Sequence, residues 1–171
     1  MEWIKTALEF AALVFAAIQV LFLSRQLKDT VRWNRLNSTF SELEKFQDII
    51  KQADPTLLEK IGLLKADDNV VDIDIFRDLM EESKFVKDLY AIMSFYEGFA
   101  IAVMSGYINS NIAKRLFYVN FMRAHKKLQP YILIRKQATG MEMFQHFQKL
   151  YDRWSSEKLS LPIDNYEDRR R

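Results

Sequence analysis

The chain has 171 residues, 49% of them hydrophobic and 28% charged, which fits one domain of ordinary size with a short appendage and excludes wholesale disorder. With 4 Gly and 3 Pro there are too few turn formers for a sandwich or barrel, so an all-α fold is expected. The absence of Cys removes disulfides, thiolate metal sites and cysteine nucleophiles; His125 and His146 alone cannot build a zinc site, so no metal and no cofactor is expected.

The formal charge of +2 conceals an asymmetry along the chain. Residues 37–98 hold 7 basic and 14 acidic side chains, net −7, whereas residues 99–171 hold 13 and 6, net +7. No Asp or Glu occurs from Gly98 through Met141. Opposite charge in two halves of one chain predicts electrostatic pairing between subunits of a homo-oligomer, or with a polyanion.

Residues 1–24 read as a transmembrane helix. The run from Trp3 to Leu23 is 21 residues, about 31 Å of helix, which matches a hydrocarbon core of about 30 Å. Basic residues follow the run instead of preceding it, as in an uncleaved anchor and unlike a signal peptide. Arg25, Lys28, Arg32 and Arg35 flank its C-terminal end, and the positive-inside rule then places residues 24–171 in the cytoplasm. Those four also recur at helical spacing as a basic stripe suited to anionic headgroups. Glu9 and Gln19 are costly within lipid. With Lys5, Ala12, Ala16, Leu23 and Gln26 they form one polar or small stripe at steps of three and four, which an aqueous pore or neighbouring helices would shelter; snorkelling of Glu9 and one interhelical bond from Gln19 is the plainer alternative.

The helical period continues as a juxtamembrane helix, 25–54, until Pro55. A cytoplasmic helical domain, 55–158, follows, and a polar tail, 159–171. Within the domain a short helix is expected at 56–64, then a loop with Asp67, Asp68 and Asn69, whose carboxylates lack the Gly and Glu of a calcium loop and read as turn and cap residues. A helix is expected from Asp74 to about Met104, broken by Ser105 and Gly106, then a second from Asn111, capped by Asn109 or Ser110, ending before Gln129 and Pro130. The last, about 140–156, presents Met143, Phe144, Phe147, Leu150, Tyr151 and Trp154 to the core. Glu97, in an apolar stretch, calls for an ion pair with Arg115 or Arg123. Lys114, Arg115, Arg123, Lys126 and Lys127 form a basic helix that suits RNA, a nucleotide or a partner, and His125 reads as a surface residue upon it.

The WNRLN segment at 33–37, FYEGFAI at 95–101 and SGYI at 105–108, behind a single N-terminal apolar helix, resemble a bacterial family of small one-pass membrane proteins of unknown function. Among these the chain is similar to the membrane accessory proteins of type VI-B CRISPR systems. The resemblance implies a homo-oligomeric pore in the bacterial inner membrane that depolarises an infected cell when an RNA-guided, RNA-targeting CRISPR effector is activated, with a cytoplasmic domain distantly like the HEPN nuclease fold. It does not carry over nuclease chemistry, which needs an Arg ahead of the His with four to six residues between them. The corresponding positions are Tyr118, Val119 and Asn120 for His125, and Thr139, Gly140 and Met141 for His146, so no enzyme is expected.

Overall fold

The computed structural model describes residues 2–67 and 69–157, with the side chains of residues 2 and 4–13 outside that description. Asp68 and the expected tail, 159–171, lie outside the described residues. The described residues form six helices and no strand: α1 Glu2–Gln52, α2 Pro55–Lys60, α3 Ile73–Glu81, α4 Ser83–Met104, α5 Ser110–Thr139 and α6 Gln145–Ser156. The all-α expectation holds.

α1 runs for 51 residues, about 76 Å, because neither Gly nor Pro interrupts it. Its C-terminal third packs on the domain through Phe46, whose ring lies 5.0 Å from Phe95 and 5.7 Å from Tyr96. Thr39 is fully buried; its hydroxyl donates to the Arg35 carbonyl and accepts from the Asn109 amide, tying α1 to the turn before α5. Residues N-terminal to this tie are exposed wherever their side chains are described, except for a half-buried Leu36 and Ser38. The expected transmembrane span is not found in this form: among the described residues, no helix is long and apolar enough to cross a membrane. The described apolar stretch, Val14 to Leu23, covers only about 15 Å, half a hydrocarbon core.

α2 starts where Asp54 accepts the Thr56 amide and Pro55 occupies the first helical position, where a missing N–H costs nothing. It ends four residues short of the expected Leu64, because Gly62 takes a left-handed conformation with φ +60°. The expected helix from Asp74 to Met104 is two helices. Glu82 leaves the helical region (φ −98°, ψ 113°), which lets α3 turn Phe76 and Leu79 inward independently of Phe85 and Leu89 on α4. Ser105 and Gly106 end α4, and Asn109 caps α5 by accepting the Ile112 amide, both as expected.

α5 does not stop before Pro130. It passes through the proline and ends at Gly140, left-handed with φ +67°. Proline deprives the Lys126 carbonyl of its helical donor and costs about 3 kcal/mol in an exposed helix. Here Pro130 and Tyr131 are both buried, and their removal from water offsets that loss. α6 therefore begins at Gln145, later than expected, yet it buries the expected Phe147, Leu150 and Trp154.

The start of α6 is capped from another helix. Its N-cap, Phe144, is left-handed at φ +60° and has no side-chain acceptor to offer. The Glu97 carboxylate of α4 takes that role: the amides of His146 and Phe147 donate to Oε1 and Oε2 at 3.2 and 2.9 Å, and His146 Nδ1 donates to Oε1 at 2.7 Å. These are the second and third amides of the helix, the ones an N-cap side chain would satisfy. The carboxylate also meets the positive end of the helix dipole. Glu97→Ala is expected to cost about 2 kcal/mol and lower Tm by about 6 °C, with Glu97→Gln in between, as read by thermal unfolding.

Candidate functional site

Two surfaces carry the residues singled out in the sequence. The first is the N-terminal part of α1. Val14, Phe15, Ile18, Val20, Leu21, Phe22 and Leu23 are 42–66% exposed. At about 100° per residue these positions fall on every side of the helix. Ala16, Gln19 and Gln26 are exposed beside them, as are Arg25, Lys28, Arg32 and Arg35 one to three turns further on. The side chains of Lys5, Glu9 and Ala12 lie outside the described residues, so the expected stripe is seen only from Ala16 to Gln26.

The second surface is the basic α5. Lys127 does not belong to it. Its side chain is 2% exposed, and its ammonium donates to the Gly62 carbonyl at 2.8 Å and to Asp67 at 2.6 Å. That hydrogen bond holds the Asp67 carboxyl below its ordinary value. A Cβ on Gly62 would approach the ammonium to 3.1 Å, so glycine serves both the left-handed backbone and the lysine's access to it. Lys114 donates to Glu157 at 2.8 Å, and Arg115 is exposed. Arg123 and Lys126 are half-buried and engaged in interactions of their own. Lys136 meets Glu142 at 3.0 Å. The acid-free segment thus draws its counter-charges from the residue that ends α6, from the loop before α6 and from the turn after α2. Lys127→Ala is expected to lower Tm by about 5 °C, whereas Arg115→Gln leaves it unchanged, which differential scanning calorimetry distinguishes.

Glu97 meets neither of its expected arginines among its hydrogen bonds; it caps α6. His125 is a core residue and not a surface one. It is 2% exposed, stacks on Tyr151 at 3.8 Å and donates from Nε2 to Gln148 Oε1 at 2.8 Å. Burial holds its pKa below the ordinary 6.5, against a smaller upward pull from Gln148 and Asp152. The unfolded chain therefore takes up this proton first as the pH falls. Stability associated with His125 is complete above pH 6.5 and is lost as the pH falls towards the depressed folded value. Urea unfolding at pH 7.5 and 5 should show that loss, and it should be smaller in His125→Phe, which keeps a ring against Tyr151. Among the described residues no group of three His, Asp or Glu side chains is placed to hold a metal.

The architecture is that of an all-helical bundle from which one very long helix projects. Over residues 6–154 the chain matches the family described as domain of unknown function DUF4760, and it belongs to that family. No curated protein and no solved structure matches it.

Proposed function

We propose that this protein is a membrane-attached helical module whose N-terminal helix enters lipid and whose bundle serves binding, not catalysis. The observation that carries this reading is the collar of uncovered apolar side chains from Val14 to Leu23. A helix facing one protein partner needs a single apolar stripe; one that is apolar all round suits an environment that is apolar all round. The basic residues Arg25, Lys28, Arg32 and Arg35 begin immediately beyond it, where a headgroup layer would lie. A complete single-pass crossing of a bacterial inner membrane requires residues 3–13 in the lipid as well. The non-catalytic reading is supported by the two histidines: His125 is stacked in the core, and His146 is held by Glu97.

The exposed Gln19 and Ala16 favour a more specific second reading. In a ring of such helices they would face the axis, giving the oligomeric pore of an antiviral accessory protein that opens when an RNA-guided CRISPR effector is activated, on a HEPN-like bundle without HEPN chemistry. Binding of RNA or a nucleotide through α5 is a weaker alternative, since Lys127 is buried and Lys114 already meets Glu157.

Flotation of the full chain with phospholipid vesicles tests the first reading. The wild type should float; Ile18→Lys with Phe22→Lys should reduce the floated fraction more than tenfold without changing Tm, because neither residue touches the core. Failure of the wild type to float would overturn the reading. For the pore, Gln19→Leu should abolish ion release from vesicles while flotation persists, and Phe15→Leu should release ions as the wild type does.

A further inference from the structure

Where α1 approaches the domain, an open groove of about 330 Å³ is bounded by Leu27, Lys28, Val31, Arg32 and Arg35 of α1 and by Asn109 of the turn before α5. Its wall is apolar at Leu27 and Val31, which are both exposed, and cationic at the other three α1 positions. Asp29 is the only carboxylate between residues 10 and 41. A free helix could carry the same basic stripe, but it would have no second wall. Here the hydrogen bond from the Asn109 amide to Thr39 holds the turn against α1, so that Asn109 lines the groove opposite the helix.

We propose that this groove seats the headgroup of one anionic phospholipid, with Lys28 and Arg32 on the phosphate and Leu27 and Val31 against the glycerol and upper acyl chain. The proposal rests on the membrane reading of α1. Lys28 and Arg32 follow Leu23 by about 7.5 and 13.5 Å along the axis. Helical side chains lean towards the N-terminus, here towards the lipid, so both cations reach back into a headgroup layer that begins near Leu23. Charge complementarity selects an anionic headgroup, and the apolar wall selects a lipid over a free anion. Arginine's planar fork can take two phosphate oxygens in one fixed geometry, whereas the lysine acts as a point charge.

The test separates a built site from diffuse attraction. Full-length protein in detergent is titrated with phosphatidylglycerol or phosphatidylcholine, and native mass spectrometry counts the lipids retained. One phosphatidylglycerol should be held saturably and phosphatidylcholine should not. Arg32→Gln should weaken retention at least fivefold and Arg25→Gln less than twofold. Diffuse attraction reverses that order, since Arg25 is nearer the apolar collar and both changes remove one charge. Equal retention of the two lipids, or an equal loss in the two variants, would overturn the proposal. Displacement by inorganic phosphate at matching concentration would also overturn it, because the site would then recognise the free anion. The vesicle flotation is independent: a protein that retains one phosphatidylglycerol yet floats with no vesicle keeps the groove and loses the anchor.

Discussion

A carboxylate on α4 completes the first turn of α6, and much of the bundle depends on that loan. α6 has 12 residues, a length that is marginal for an isolated helix, and it starts from a left-handed phenylalanine with no capping side chain. Glu97 supplies acceptors for two of its orphan amides. The neighbouring Tyr96 stacks on Phe147 at 4.9 Å and 13°, so consecutive residues of α4 fix the polar start and the apolar face of the same helix. Once seated, α6 brings Trp154 to 4.9 Å from Phe121 and Tyr151 onto His125, which closes the core over α5.

The same economy governs the basic segment. Read in one dimension, 44 residues without an acid look like a surface awaiting a polyanion. In three dimensions Lys127 is a core cation whose partners come from a glycine carbonyl and an aspartate some sixty residues earlier, and Lys114 reaches the end of α6. Linear charge asymmetry therefore reports in part on which segments fold against each other. Arg25, Lys28, Arg32 and Arg35 of α1 differ in kind: all four are exposed, and three border a groove that the domain itself helps to form.

Helix content, the uninterrupted α1, the stop at Ser105 and Gly106, the Asn109 cap and the inward face of α6 were legible in the sequence, because each follows from local chemistry: periodicity, a missing side chain or a side-chain acceptor. What escaped depends on neighbours distant in sequence. Glu82 interrupts a helix without Gly or Pro, because α3 and α4 bury their apolar faces separately. Pro130 fails to interrupt one, because burial outweighs a single lost hydrogen bond. The partner of Glu97 is not legible locally, because it is a helix start some fifty residues away whose own five preceding residues, 140–144, hold no Ser, Thr, Asp or Asn. His125 lies among lysines in the sequence but four residues after Phe121 and three before Leu128, on the buried face; that spacing, more than its charged neighbours, decides its place.

Because α1 contains no glycine or proline, it behaves mechanically as a shaft. Phe46 and Thr39 clamp one end of it to the bundle, so a turn imposed on the exposed end is delivered to the domain without a joint to absorb it. Any neighbour that sets the azimuth of residues 14–23 thereby sets which side of the bundle faces that neighbour's surroundings. Adding one residue between the collar and the clamp would rotate the two by about 100° while lengthening the shaft by only about 1.5 Å, so phase, far more than distance, is what the length of this segment encodes.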